Sequence, residues 1–226
     1  MLAPHPSFGE VIAQVLGENG HAVEVSEVDM AFETVAPLFL DFAEKIGSTT
    51  WSTSPQVSRK FWGLVYAAEF ERLGIEDPDG RLANLLYDRF TRFDTYRLFP
   101  DVIPALEQMK DQGMLLGVIS NFEEWLEGLL SEWEVAHLFE VLVISGREGI
   151  EKPDPDIFRR ALERTGLDPE ESIYVGDHPQ LDVEASESVG MKGVLIDRRG
   201  RHPGFSGIRI TSLDQLLPAV QATADR

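Results

Sequence analysis

The sequence contains no cysteine. Disulfides, thiolate nucleophiles and cysteine-ligated zinc or iron–sulfur centres are therefore excluded. A chain without cysteine is compatible with the reducing cytoplasm, which is the location we expect. Histidine is scarce too, and the five histidines include no pair at the i, i+4 spacing of a zinc-hydrolase helix. Zinc-hydrolase chemistry therefore has no support.

Basic residues are fewer than acidic ones, and long apolar runs are absent. Twenty Lys+Arg stand against 39 Asp+Glu, which gives a formal net charge of −19. Binding to the phosphate backbone of nucleic acids needs a basic surface, so we expect no nucleic-acid partner. No stretch of about 18 apolar residues occurs, so we expect no membrane partner. The glycine-rich signatures of dinucleotide and P-loop nucleotide sites are absent as well.

The first part of the chain has the pattern of consecutive helices. Apolar residues recur at helical spacing, with capping residues before them and glycines behind. We predict a helical domain over residues 7–93. Its predicted helices begin near Ser7, run from Ser26 to Gly47, from Pro55 to Leu73, and from about Pro78 to Phe93.

The second part, residues 94–226, alternates short apolar runs with helical patterns. This alternation predicts βαβ units and an α/β fold with a doubly wound parallel sheet. Ligands of such sheets bind beyond the carboxyl ends of the strands. We predict four strands, at residues 114–119, 141–144, 172–175 and 193–196.

Polar residues follow three of the four predicted strands. They are Ser120 and Asn121, Lys152, and Asp177 with Asp182. Taken singly, each is typical of a turn, a cap or a solvated surface. Taken together, a hydroxyl, an ammonium and two carboxylates suit phosphate chemistry with Mg²⁺.

Three segments also resemble a known family. Residues 118–122, 151–158 and 174–182 resemble the second, third and fourth motifs of haloacid dehalogenase-like (HAD) hydrolases, and the spacing between them fits. The resemblance spans roughly residues 95–200. The helical segment is similar to the helical cap of subfamily I in that family. A Rossmann-like HAD core with a helical cap domain is therefore implied.

The resemblance also implies roles by position. Ser120 would hydrogen-bond a phosphoryl group, with Asn121 in support. Lys152 would neutralise the nucleophile and the transferring group. Asp177 would coordinate Mg²⁺, and Asp182 would help to fix either the metal or Lys152.

The family's first motif is missing from this sequence. That motif is an apolar strand ending in a nucleophilic aspartate, whereas the first aspartate here is Asp29, within a predicted helix. Residues 1–6 resemble the stretch that follows the motif and are interpreted as a remnant of the core entry. We expect a truncation or a misassigned start, and an inactive or impaired chain. A natural non-catalytic relative, or another arrangement with Met1–Ala3 paired or a partner chain supplying the strand, is the alternative.

For a complete chain, the resemblance implies Mg²⁺-dependent hydrolysis of a small phosphorylated metabolite through an aspartyl-phosphate. Metal-independent dehalogenation of a 2-haloacid is the enzymatic alternative. A binding or scaffold protein that keeps the pocket without turnover is the other. The sequence predicts neither the identity of the substrate nor the oligomeric state.

Overall fold

A computed structural model describes residues 1–224 of the chain. The internal contacts divide the chain into a helical unit, Met1–Phe99, and an α/β unit from Pro100 onward. Residues 94–99, which the sequence analysis assigned to the α/β core, lie in the helical unit. The reason is a short antiparallel pairing that joins Leu2–Pro4 to Tyr96–Leu98 and ties both ends of the helical unit together.

The helical unit comprises β1 (Leu2–Pro4), α1 (Phe8–Glu18), α2 (Val25–Val35), α3 (Phe39–Lys45), α4 (Pro55–Leu73), α5 (Arg81–Phe90) and β2 (Tyr96–Leu98). The prediction for α4 is confirmed at both ends. The side chain of Ser54 accepts a hydrogen bond from the Val57 N–H at the start, and Gly74 takes the left-handed conformation, with φ 68°, at the end.

One helix prediction is wrong. The single helix expected from Ser26 to Gly47 is broken into α2, a 3₁₀ turn at Ala36–Leu38, and α3. Pro37 lies in the turn, and a proline lacks the N–H that an α-helix interior requires. The apolar periodicity continues through the break because Val35 and Phe42 are buried in the same core cluster.

Aromatic side chains form much of the interior of the helical unit. Trp62 stacks on Tyr66 with ring centroids 5.7 Å apart, and Tyr66 stacks on Phe90 at 6.2 Å. Tyr66 and Phe70 are almost fully buried. These rings of α4 therefore serve the packing of the unit itself.

The α/β unit comprises α6 (Val102–Asp111), β3 (Gly117–Ser120), α7 (Leu126–Glu132), β4 (Val141–Ile144), α8 (Ser145–Glu148), α9 (Pro155–Thr165), β5 (Ile173–Gly176), α10 (Ala185–Glu187), β6 (Lys192–Ile196), β7 (Ile208–Ile210) and α11 (Leu216–Ala224). Within the described residues, the strands of this unit form two parallel sheets, β3–β4 and β5–β6–β7.

The four predicted strands are all present, and the α/β fold with parallel pairing is confirmed. The first strand begins later than expected, at Gly117, because the preceding residues leave α6 through a turn in which the Met114 N–H donates to the Met109 carbonyl. Strand β7 was not predicted, since a three-residue strand gives almost no periodic signal. None of the helices in residues 1–224 is both long and apolar enough to cross a bilayer.

Glu69 of α4 is an unusual feature of the helical unit. Its side chain is completely buried, and neither carboxylate oxygen has a hydrogen-bond partner within the described residues. Burial raises the pKa of Glu69 to about 8. The carboxyl group is therefore neutral in the folded chain at pH 7, whereas it is ionised when the chain is unfolded.

We expect Glu69→Gln to change the pH dependence of stability. Above the ordinary pKa of a glutamic acid, the Glu69 carboxyl group loses its proton in the unfolded chain. In the folded state of the unmodified chain it keeps that proton. The free energy of unfolding should therefore fall as the pH rises from about 4.5 to about 8, and then level off. The variant keeps a neutral side chain at every pH. It should be more stable than the unmodified chain by about 2–4 kcal/mol at pH 8.5 and similar at pH 5.

Urea unfolding at both pH values measures this difference. Glu71→Gln is the matched control, because Glu71 lies on the same helix but is exposed. Equal pH profiles for the unmodified chain and Glu69→Gln would show that the buried carboxyl does not titrate as stated.

Candidate active site in the α/β unit

Ser120 is the last residue of β3. The apolar residues Val118 and Ile119 hold this strand in the interior, and the backbone of Ser120 lies opposite Ile144 in the parallel ladder. Its side chain is half-buried, and the structure shows no protein partner for its hydroxyl group in the part of the chain that it describes. The hydroxyl is therefore available to a ligand.

Asn121 holds the loop that carries Lys152. The side-chain amide of Asn121 donates to the backbone carbonyl of Lys152 at 2.8 Å, and the backbone N–H of Lys152 donates to the side-chain oxygen of Asn121 at 2.7 Å. This reciprocal pair joins two segments that are 31 residues apart in the sequence. Asn121 thus positions the backbone of Lys152, and the supporting role toward a phosphoryl group that the resemblance implies for Asn121 stays a prediction.

Lys152 makes two charged or polar contacts through its ammonium group. The Nζ atom lies 2.6 Å from Asp182 Oδ1 and 3.0 Å from the Tyr174 hydroxyl oxygen. The side chains of Lys152 and Asp182 are only 12% and 2% exposed, so this ion pair is buried. An ammonium group has three protons, and the third has no protein acceptor within residues 1–224.

These contacts fix the protonation states. Burial opposes the charge on Lys152, but Tyr174 and Asp182 outweigh it and raise the pKa of Lys152 above its usual value. Burial likewise disfavours the Asp182 carboxylate, yet the adjacent ammonium and the hydrogen bonds lower the pKa of Asp182. Burial raises the pKa of Tyr174. At neutral pH the group therefore consists of an ammonium, a carboxylate and a neutral phenol.

Asp182 uses both carboxylate oxygens within the protein. Oδ1 binds Lys152, and Oδ2 accepts the backbone N–H of His178 at 2.9 Å. Asp182 lies in a π-helical turn, Pro179–Glu184. Its side chain reaches back to Gly176 at the end of β5. That Asp182 also binds a metal stays a prediction.

Gly176, at the end of β5, makes room for that carboxylate. A Cβ atom at this position would lie 2.2 Å from Asp182 Cγ and 2.3 Å from Asp182 Cβ, far inside van der Waals contact. The Gly-Asp sequence at 176–177 is thus explained in part by packing. The glycine lets the buried carboxylate approach the backbone of the strand.

Asp177 follows Gly176 and is exposed. Its carboxylate has no hydrogen bond or ion pair with any residue that the structure describes. No cluster of three or more His, Cys, Asp or Glu side chains in the described chain could surround a metal ion. Magnesium needs no such cluster, because it commonly binds through one or two carboxylates together with water and a phosphate. The free carboxylate of Asp177 fits that mode of binding.

The structure therefore brings Lys152 and Asp182 into direct contact and uses Asn121 to hold the Lys152 loop. It leaves the polar groups of Ser120 and Asp177 free. Tyr174 has no role in the predictions made from the sequence. Its phenol could have been noticed as the only hydrogen-bonding side chain within the apolar part of β5 (Ile173–Gly176).

Known proteins are similar to this chain in sequence. The family model for haloacid dehalogenase-like hydrolases matches residues 32–196. Haloacid dehalogenase-like hydrolase domain-containing protein 3 of Mus musculus is 30% identical over 222 residues, which cover 94% of this chain and 86% of that protein. Phosphoserine phosphatase of Thermus thermophilus is 30% identical over 200 residues, covering 84% of this chain and 80% of that protein.

A solved structure shares the fold. The crystal structure of a HAD-hydrolase from Bacillus subtilis bound to magnesium aligns with a TM-score of 0.73 at 16% identity, over 94% of this chain and 90% of that one. The resemblance drawn from the three motifs is confirmed by the family match and by the relatives.

Gly176→Ala tests the packing around Asp182. The added methyl group would displace the carboxylate and loosen its contact with Lys152. We expect a loss of about 1–3 kcal/mol in the free energy of unfolding, the usual cost of overpacking. Chemical denaturation measures it.

Gly204→Ala is the control for this substitution, since a Cβ atom there would meet nothing within 4 Å. If the two alanine variants are equally stable, the close approach of Asp182 to β5 does not exist in solution.

Proposed function

Because the chain belongs to the haloacid dehalogenase-like hydrolase family, we propose that its α/β unit contains a phosphatase site, which binds a small phosphomonoester as substrate and uses Mg²⁺. The main support for this proposal is that one of the three protons of the buried Lys152 ammonium has no protein acceptor among the described residues. A protonated, fixed and partly dehydrated ammonium with one uncommitted donor is suited to a phosphate oxygen. The phosphatase relative supports the same class of substrate.

Each residue of the site has a part in this proposal. Lys152 donates its third N–H to a phosphoryl oxygen and neutralises the charge that develops during transfer. Ser120 donates its hydroxyl proton to a second phosphoryl oxygen. Asn121 holds the backbone of Lys152 in place. Asp182 keeps the ammonium charged and oriented.

Asp177 is the residue that would hold Mg²⁺. When bound, the cation would neutralise phosphate charge and orient the phosphoryl group. This assignment favours the phosphatase over the dehalogenase alternative, because a free carboxylate at this strand end can hold a cation, which metal-independent displacement of a halide does not require.

The aspartyl-phosphate route needs an attacking carboxylate in addition. In that step a carboxylate oxygen bonds to phosphorus, the ester P–O bond breaks, and the leaving alkoxide takes up a proton. Water then hydrolyses the acyl phosphate. The motif that the resemblance implies for the nucleophile is not among the 226 residues. We therefore assign the nucleophile to no residue of this chain. The cytoplasmic location expected from the sequence stays a prediction.

Hydrolysis of p-nitrophenyl phosphate with and without Mg²⁺ tests the proposal. We would compare the chain with a fusion that carries an apolar strand ending in Asp-x-Asp ahead of Met1. The fusion should hydrolyse the ester only with Mg²⁺, and the chain alone should bind inorganic phosphate without turnover. Lys152→Met and Asp177→Asn in the fusion should each lower kcat/KM at least about 100-fold, because each removes charge stabilisation of the transition state.

Matched controls separate these effects from general loss of charge. Lys110→Met removes a surface lysine that pairs with Glu140, and Asp214→Asn removes an exposed carboxylate in the same unit. Both should leave the rate unchanged. Phosphate binding without turnover in every form would favour the non-catalytic binding protein. Absence of both binding and turnover would refute the phosphate site.

A further inference from the structure

Tyr174 lies within β5 and is held firmly. It is 9% exposed, and its ring meets the fully buried ring of Phe158 edge-on, with the centroids 5.0 Å apart. Burial and this aromatic contact leave the phenol little freedom to rotate. The hydroxyl group is consequently fixed in space by the hydrophobic core of the α/β unit.

The hydroxyl meets three polar atoms. It lies 3.0 Å from Lys152 Nζ, 3.0 Å from the Ile119 carbonyl oxygen and 3.2 Å from Asp182 Oδ1. A neutral phenol has one proton, and an ammonium can only donate. Tyr174 must therefore accept from Lys152 and give its own proton to Ile119 or Asp182. The shorter distance favours Ile119.

The contact between the Tyr174 hydroxyl and the Ile119 carbonyl joins the two sheets. Within the described chain, β3 pairs only with β4, while β5 pairs with β6. The Tyr174 hydroxyl thus ties β5 to Ile119 of β3, the residue before Ser120. The same oxygen holds Lys152. The Tyr174 hydroxyl oxygen therefore contacts both the Lys152 ammonium and the strand that ends at Ser120.

We propose that Tyr174 is a positioning residue, which holds the Lys152 ammonium at a fixed distance from Ser120 so that both can bind one phosphate group. This inference rests on the proposed function. Tyr174 itself touches no substrate in the proposal. It acts through Lys152.

The contact with Asp182 alone would not fix the orientation of the Lys152 ammonium. A single carboxylate oxygen at 2.6 Å fixes the distance of the ammonium but not its direction, so the group could swing about Oδ1. The second contact, between Lys152 Nζ and the Tyr174 hydroxyl oxygen, removes that freedom. The ammonium is then held by two oxygen atoms, Asp182 Oδ1 and the Tyr174 hydroxyl oxygen, which themselves lie 3.2 Å apart. The third proton of Lys152 then points in one direction.

Tyr174→Phe removes the hydroxyl and keeps the ring. We expect the affinity for inorganic phosphate, measured by calorimetry with Mg²⁺ present, to fall about tenfold, because a hydrogen bond to a charged group is lost. The affinity for Mg²⁺ alone should stay within about twofold, since Asp177 does not contact Tyr174 in the proposed site. Heteronuclear NMR should show the Lys152 ammonium signal broadened or lost, with Lys152→Met assigning that signal.

Tyr96→Phe is the matched control. The Tyr96 hydroxyl is also buried and donates to a backbone carbonyl, that of Phe90, at 2.8 Å, but it lies in the helical unit. A purely structural role of Tyr174 would make the two variants alike, with lowered stability and unchanged phosphate affinity. That result, with the Lys152 signal retained in Tyr174→Phe, would overturn the inference.

The NMR signal separates this inference from the proposed function. If the unmodified chain binds no phosphate, the proposed function is wrong, and the signal still decides whether Tyr174 holds the ammonium: its loss in Tyr174→Phe supports the contact and its persistence refutes it. If Tyr174→Phe does not fold, a nuclear Overhauser contact between the Lys152 ammonium and the Tyr174 ring in the unmodified chain takes its place. Presence of that contact supports the inference, and absence overturns it.

Discussion

The buried ion pair between Lys152 and Asp182 is the constraint on which the α/β unit is built. A charge removed from water must be compensated by close partners, or its burial is strongly unfavourable. The surrounding structure supplies that compensation. Gly176 gives the carboxylate space beside β5, and the His178 N–H binds its second oxygen. Tyr174 and Asp182 together bind two of the three ammonium protons.

Such a pair is poorly explained by stability alone, since apolar residues of similar volume often stabilise a fold as well or better. Its chemistry is more specific. The ammonium stays charged in a site that is only partly accessible to water, and it keeps one free proton. The Ser120 hydroxyl, at the end of β3, and the Asp177 carboxylate, just after β5, have no protein partners among the described residues. These are the groups that a phosphate and a hard cation require.

Much of this was predictable from sequence, because local signals were strong. Proline, serine and glycine mark the ends of α4, and the apolar runs mark β3 to β6. Contacts between distant segments gave no such signal. The reciprocal bonds of Asn121 with Lys152, the reach of Tyr174 to Ile119, and the pairing of β1 with β2 all depend on tertiary structure. The missed break at Pro37 is different, since the proline was visible but the apolar periodicity continued across it.

A crystal structure of the chain with Mg²⁺ and tungstate, an analogue of phosphate, would show whether Ser120 and Lys152 bind one anion. We expect the anion in contact with both Ser120 Oγ and Lys152 Nζ, the metal beside Asp177, and the Tyr174 hydroxyl still bound to the ammonium. An anion bound elsewhere, with Ser120 and the third proton of Lys152 unengaged, would contradict this expectation.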